Sequence, residues 1–354
     1  MANHDEPVPV AVLGVGRMGQ QHARIYHGLP NAKLVAVVDP DRQRCHRVAD
    51  EWGCDPCIDD QQLLARHPQL RAVSVAVPTE HHAAAAAPLL RKGIACLIEK
   101  PLALDVEQAQ TVAQMAADHG ALLQVGHTER FNPAIRALGR LKLTPRFMEI
   151  DRVSPMTFRS LDVGVVMDLM IHDLDIVLML AKSKLLKVDA TGVSVVGAHE
   201  DVVNARIVFA SGCVANLTAS RLALKTARKM RIFSEEAYVS LDYQSRSGVV
   251  IRQSPNAAAL DQLRDQIAQG KDLSALDYAK LVHVEALGAN RAGRANDDSD
   301  DPLTAELASF LDAVYTGRTP EVDGPAACAA VDAAQRVVAA LREHRWEGLA
   351  DPRP

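Results

Sequence analysis

Residues 8–26 read VPVAVLGVGRMGQQHARIY, and three signals follow one another in them. Val8, Val10, Ala11, Val12 and Leu13 form a short apolar run with the β-branched content of a buried strand. The run ends in Gly14-Val15-Gly16-Arg17-Met18-Gly19, a GxGxxG match without a mismatch, and a helical pattern opens directly after it. In such a strand–turn–helix unit the first glycine permits the tight turn and the second lets backbone N–H groups approach a pyrophosphate. The third lets helix and strand pack closely. The helix N-terminus adds partial positive charge for the phosphates. Gly14, Gly16, Arg17, Met18 and Gly19 are therefore the candidate phosphate-binding residues of a dinucleotide site.

A second strand pattern, Lys33 to Val38, ends in Asp39, twenty positions after Gly19. A carboxylate there can accept hydrogen bonds from the adenosine ribose hydroxyls and would repel a 2′-phosphate, so the expected cofactor is NAD rather than NADP. Short β-rich runs then alternate with helical patterns: a helix over Asp41 to Trp52, a strand at Ala72 to Val77 and an alanine-rich helix over Glu80 to Lys92. A strand at Ile94 to Ile98, a helix over Asp105 to His119 and a strand at Leu122 to Val125 follow. That alternation predicts a doubly wound parallel sheet with crossover helices, a Rossmann domain over residues 1–127.

Ligands of open α/β sheets bind beyond the strand C-termini, so Pro78, Thr79 and His82 are expected at the edge of the nicotinamide pocket. Glu99-Lys100-Pro101 closes another apolar strand and projects a cation into the same crevice; the competing reading is a solvated loop end with Lys100 paired to Glu99. Cys54-Asp-Pro-Cys57 has CxxC spacing, but no second pair or nearby histidine completes a four-ligand zinc site. A surface turn is expected there, and no metal site.

From about Arg146 the pattern changes. Phe147 to Val153 reads as a strand, and GVVMDLMIHDLDIVLMLA, residues 164–181, reads as a long apolar helix with only four strongly polar positions. At about 100° per residue, Asp168, His172 and Asp175 fall within a stripe of roughly 60°, with Asp173 pointing elsewhere. Ionisable groups on a mostly buried helix are costly unless paired, so the stripe is a candidate site, the alternative being a core histidine bonded to its neighbouring aspartates. Six strand patterns follow between Val188 and Arg252, with Gly212 placed for a hairpin. They predict a second α/β domain over residues 128–354, built on a large open, mostly antiparallel sheet whose free face suits a homodimer or homotetramer. Residues 290–302, NRAGRANDDSDDP, read as an exposed loop, and two helices, Thr304 to Tyr315 and Pro325 to His344, close the chain and can pack back on the Rossmann domain.

Composition sets limits on the partners. The chain has 354 residues, 48% of them apolar, which suits two domains. A formal charge of -5 with no basic cluster argues against nucleic acid. No apolar run approaches the roughly 18 residues of a membrane span, and no leader pattern opens the chain, so a cytoplasmic protein without membrane contact is expected. Six scattered cysteines suit a reducing compartment.

The glycine turn, Asp39, Glu99-Lys100-Pro101 and Asp168-x-x-x-His172 followed by Asp175 together resemble the Gfo/Idh/MocA oxidoreductase family over almost the whole chain. The resemblance implies a nicotinamide cofactor whose reactive ring faces the open sheet. Within the family, residues 126–133 (GHTERFNP), MDLMIHDLD and residues 214–221 (VANLTASR) are similar to the sugar-nucleotide members that oxidise UDP-N-acetylglucosamine at C3 for diamino-sugar lipid A. One departure concerns the substrate loop: many members carry a glycine pair where this chain has Gly164-Val165-Val166.

The expected activity is NAD-dependent oxidation of a secondary hydroxyl of a sugar nucleotide, giving a 3-keto sugar for a downstream aminotransferase. His172 is the expected base, Asp168 orients it or holds a sugar hydroxyl, and Lys100 stabilises the alkoxide. His127, Arg130, Asn132, Arg152 and Arg159 are candidate substrate residues, the arginines with Arg221 for the diphosphate. Alternatives are an inositol or other polyol dehydrogenase, a UDP-aminouronate dehydrogenase and a non-catalytic NAD-binding sensor. The last predicts a broken catalytic set, which Lys100, Asp168 and His172 do not show.

Overall fold

The structure is a computed structural model that describes residues 6–157, 163–196, 198–253, 264–270, 282–288 and 301–344. The chain forms two compact units. The first comprises Met1–Phe131, Leu174–Ile176 and Asn296–Arg336, and the second Asn132–Asp173, Val177–Ala295 and Val337–Pro354.

The first unit is built on six parallel strands, β1 (Val8–Leu13), β2 (Ala32–Val38), β3 (Asp55–Cys57), β4 (Ala72–Val75), β5 (Ala95–Glu99) and β6 (Leu123–Gly126), in the order β3-β2-β1-β4-β5-β6. The order reverses at β1, which places the crevice beyond the carboxyl ends of β1 and β4, where this topology binds ligands. Val8, Val10, Ala11 and Val12 are fully buried, as a strand covered on both faces requires. The crossovers are helices α1 (Arg17–Gly28), α2 (Arg42–Trp52), α3 (Asp60–Arg66), α4 (His82–Leu90) and α5 (Val106–Asp118). Local chemistry sets their starts: Asp41, Asp59 and Asp105 accept from the N–H groups of Arg44, Gln62 and Gln108 at 3.0, 2.7 and 2.7 Å. Helix α8 (Pro302–Thr316), from late in the chain, completes this core with Leu307, Phe310 and Leu311 against Val8, Val10, Ala23 and Tyr26.

Cys54 and Cys57 do not form the expected surface turn. Asp55–Cys57 is the edge strand β3, paired parallel with β2, and Cys57 is fully buried. The three-residue strand is too short to carry a periodic signal. Among the described residues no group of three His, Cys, Asp or Glu side chains could hold a metal ion.

The second unit is built on eight strands, β7 (Pro145–Val153), β8 (Leu185–Val193), β9 (Val202–Phe209), β10 (Val214–Ser220), β11 (Ala227–Ser234), β12 (Tyr238–Asp242), β13 (Ser247–Gln253) and β14 (Val282–Gly288). They run in the order β14-β13-β12-β11-β7-β10-β9-β8, all antiparallel except β7 with β10. Gly212, at φ +82°, makes the β9–β10 hairpin turn. One face of the sheet buries Met148, Ile150, Ile207, Leu217, Met230 and Ile232. The other carries Phe147, Phe233 and Tyr238 in ring contact, 5.6 and 5.1 Å between successive centroids, beside an exposed Arg231–Glu149 pair. This unit also holds α6 (Pro133–Leu138), a π-helical turn at Val166–Met170 and most of α7 (Ile171–Ala181). Helix α9 (Gly324–Glu343) ends the described chain. The stretch 290–300, expected as an exposed loop, lies outside the described residues. No described helix is long and apolar enough to cross a membrane.

Candidate active site

The cofactor end of the first unit fits a dinucleotide on steric grounds. Gly14 has φ +81°, and a Cβ there would meet the Ala76 carbonyl oxygen at 2.8 Å; a Cβ on Gly19 would fall on the Gly14 carbonyl. Gly16 faces open space and starts α1 without a side-chain cap or an acidic residue in the first turn. The N–H groups of that turn are thus left for an anion. Arg17 and Met18 are exposed beside it.

Asp39 is 4% exposed at the end of β2 and fastens the glycine turn. Its Oδ2 accepts from Val15 N–H and its Oδ1 from Asp41 N–H, both at 2.9 Å. These bonds fix the carboxylate in one orientation, and Arg44 Nε lies 3.5 Å from Oδ2.

Lys100 follows β5, half-buried, and its bond to Pro101 is cis. The adjacent Glu99 faces a histidine that the sequence reading passed over: His22 Nε2, on the buried side of α1, lies 3.0 Å from Glu99 Oε1. Burial alone would raise the Glu99 pKa, but the close approach of His22 and the charge of Lys100 hold it below the usual carboxylate range. His22 lies in register with the buried Ala23 and Tyr26 on α1, a polar residue on the core face that helical periodicity could have flagged.

Pro78 and Thr79 lie at the carboxyl end of β4, exposed and half-buried. His82 is different. It is 1% exposed, and its ring nitrogens stand 2.9 and 3.0 Å from the main-chain oxygens of Pro101 and Val77. Burial pushes its pKa down, and the neutral ring donates to one of these carbonyls at a time. Its geometry is that of a brace for the Lys100-Pro101 loop rather than of a pocket edge.

Beyond β6, His127 is buried, with Nδ1 4.0 Å from Asp175 Oδ2, and burial lowers its pKa. Arg130 grips the same Asp175 with two prongs, Nε at 2.7 and Nη2 at 2.6 Å, and donates a third bond to the Glu321 carbonyl. Glu306 of α8 is fully buried, and its Oε2 accepts from Thr128 Oγ1 at 2.9 Å. Its Oε1 has no hydrogen-bond partner among the described residues. Burial first, and then the Glu99 charge, push its pKa well above the carboxylate range, which favours the protonated acid.

In the second unit Asp168 sits in the π-helical turn and His172 one residue into α7, both half-buried. Of the expected stripe of Asp168, His172 and Asp175, the last is held by Arg130. The π-helical turn departs from 100° per residue. Asp173 is bound to Arg152, on β7, at 2.6 and 2.9 Å with both side chains buried. Asn132 is equally committed: its side chain accepts from Ala134 N–H at the start of α6 and donates to the Tyr243 carbonyl.

Arg221 completes a third buried pair, with Asp201, and donates to the carbonyls of Val163 and Glu200. Arg130, Arg152 and Arg221, read from sequence as diphosphate candidates, are thus each locked onto a carboxylate; Arg159 lies outside the described residues. Spacing along the chain carries no sign of these partners, which come from distant elements.

The pattern of an oxidoreductase family with an NAD-binding Rossmann fold matches residues 8–127, and that of the GFO/IDH/MocA C-terminal domain matches residues 144–240. The chain is 35% identical over 332 residues to a UDP-N-acetylglucosamine 3-dehydrogenase of Acidithiobacillus ferrooxidans, covering 93% of this chain and 96% of that one. A solved structure of that organism's UDP-N-acetylglucosamine 3-dehydrogenase superposes with a TM-score of 0.80 at 33% identity, covering 95% and 98% of the two chains. An inositol 2-dehydrogenase of Rhizobium meliloti is 28% identical over 95% of this chain and 98% of its own. With a glycine turn shaped for a dinucleotide, a lysine after β5 and the Asp168/His172 helix, the chain belongs to the Gfo/Idh/MocA family of NAD-binding oxidoreductases.

Proposed function

We propose that this oxidoreductase removes a hydride from the C3 carbon of UDP-N-acetylglucosamine and leaves a 3-keto sugar. The observation that carries the reading is 35% identity, over nearly the full length of both chains, to a UDP-N-acetylglucosamine 3-dehydrogenase. NAD, held by the uncapped start of α1 and by Asp39, supplies the hydride acceptor. The residues of the chain handle the proton. His172 accepts the C3 hydroxyl proton as the C–H bond gives up its hydride, and Asp168 orients His172 or a neighbouring hydroxyl. Lys100 is the cation that stabilises developing negative charge on the substrate. Glu99, held below the usual carboxylate range beside His22, places a negative charge next to Lys100 in the chain.

On this reading Arg130 and Arg152 anchor the helix of His172, and the diphosphate is met by other groups. His127, buried beside Asp175, keeps the place of a candidate substrate residue. The outer face of the eight-stranded sheet, with Phe147, Phe233 and Tyr238, is the surface for a homodimer or homotetramer. A cytoplasmic aminotransferase on the way to a diamino-sugar lipid A would consume the product.

The test is product analysis. After incubation with NAD and UDP-N-acetylglucosamine, a carbonyl reagent should trap a product lacking two hydrogens, with the ketone at C3. A ketone elsewhere in the sugar, or none, overturns the reading. Similarity to the Rhizobium inositol 2-dehydrogenase favours a free polyol as the second reading, which predicts turnover without the UDP group.

A further inference from the structure

The helix that carries Asp168 and His172 begins without a side-chain cap of its own: Val165 is its first boundary residue and offers none. Its leading N–H groups still need acceptors, because the first four have no partner inside a helix. Asp168 N–H reaches the Gly164 carbonyl at 3.1 Å. Of the N–H groups ahead of it, those of Val165 and Val166 are satisfied from another part of the chain. Val165 N–H donates to the Glu200 main-chain oxygen at 3.0 Å and Val166 N–H to Glu200 Oε1 at 3.3 Å. Glu200 thus places a carboxylate at the positive end of this helix, where a negative charge is favoured.

Two further features make this a built arrangement. Glu200 lies so close to Gly164 that an ideal Cβ on Gly164 would fall on the Glu200 carboxylate, so a side chain there displaces the carboxylate from its seat. Val165 and Val166, beside Gly164, are fully buried. Next to Glu200, Asp201 is held by Arg221 at 2.7 Å and accepts from Val195 and Val196 N–H, both at 2.7 Å. Arg221 in turn bonds the carbonyls of Val163 and Glu200 at 2.9 and 3.3 Å. The segment before the helix and the segment after β8 are therefore tied through one guanidinium.

We propose that Glu200, seated against Gly164, is a positioning residue for the oxidation: it caps the π-helical turn from outside and sets where Asp168 and His172 stand. The inference rests on the reading that those two residues handle the hydroxyl proton. A carboxylate bonded at Val166, ahead of both residues on the same helix, acts on orientation, and misplacement of a reacting group by about 1 Å can cost about 100-fold in rate.

The experiment compares His172→Ala, Glu200→Ala, Glu200→Gln, Gly164→Ala and the double variant Gly164→Ala/Glu200→Ala by kcat, KM and NAD affinity. His172→Ala tests the underlying reading, and wild-type kcat in it would remove that reading whatever the others do. Given a loss there, Glu200→Ala should lower kcat about 10–100-fold while KM and NAD affinity stay within about threefold. Glu200→Gln, whose amide oxygen can still accept from Val166 N–H, should restore most of kcat. Gly164→Ala should match Glu200→Ala, because its methyl expels the carboxylate, and the double variant should be no worse than either single one. Additive losses, a fall confined to KM and thermal stability, or wild-type kcat in Glu200→Ala would each overturn the inference.

Discussion

Arg152 and Asp173 form a buried two-pronged ion pair, and Asp173 is the immediate neighbour of His172. The Arg152 guanidinium also lies over the Tyr243 ring, 5.8 Å from its centroid. Breaking a buried pair from one side strands the other charge, at a cost of about 3–5 kcal/mol. Asp173→Ala should therefore lower stability by about that amount in urea titration. Replacing both partners, as Arg152→Met with Asp173→Leu, should recover most of it. Equal stability of Asp173→Ala and wild type would show that the pair contributes only geometry.

Lys100→Met and His172→Ala should each cut kcat by about 10²–10⁴-fold, the usual worth of a placed proton-transfer group. NAD affinity, followed by fluorescence or calorimetry, should stay nearly unchanged, because the glycine turn and Asp39 carry it. Wild-type turnover in both variants would remove them from the chemistry.

Asp39 has two duties, and they can be separated. Asp39→Asn keeps an oxygen for one N–H group but loses the charge. NAD binding should weaken about 10–100-fold, the loss of one charge-assisted hydrogen bond of about 1.5–3 kcal/mol. Preference for NAD over NADP should narrow at the same time. An unchanged NAD/NADP ratio would mean that discrimination lies elsewhere.

Glu306 predicts a pH dependence with a definite sign. Its folded pKa is raised, mainly by burial, whereas in the unfolded chain it titrates near about 4.3. Its contribution to stability is fully present below that value and is lost as pH rises towards the folded pKa, at up to about 1.4 kcal/mol per unit. Glu306→Gln removes this slope. Its stability relative to wild type, from urea titrations at about pH 5 and about pH 8, should be greater at the higher pH. The same difference at both values would mean that Glu306 is ionised in the folded protein.

The glycine turn, the strand ending in Asp39 and the lysine after β5 were legible because each is a local pattern with a steric or electrostatic reason. The open, mostly antiparallel sheet followed from the change in periodicity near Arg146. What stayed hidden depends on distant chain segments meeting. His82, Asn132, Arg130, Arg152 and Arg221 each looked available in one dimension, and in the fold each meets a carbonyl or carboxylate. The π-helical turn was equally hidden, because a hydrophobic pattern assumes a regular 3.6-residue repeat and Asp168 sits where that repeat breaks. Strand β14 was missed because its Val282–Gly288 segment has half-exposed and exposed residues at most positions and little alternation.

The most direct measurement is growth of NADH absorbance with purified protein, NAD and UDP-N-acetylglucosamine, beside N-acetylglucosamine, myo-inositol and UDP-N-acetylglucosaminuronic acid. An aminotransferase with glutamate draws off the ketone. The account predicts a signal with UDP-N-acetylglucosamine that disappears when the UDP group is removed. A signal with inositol or the uronic acid and none with UDP-N-acetylglucosamine would contradict it.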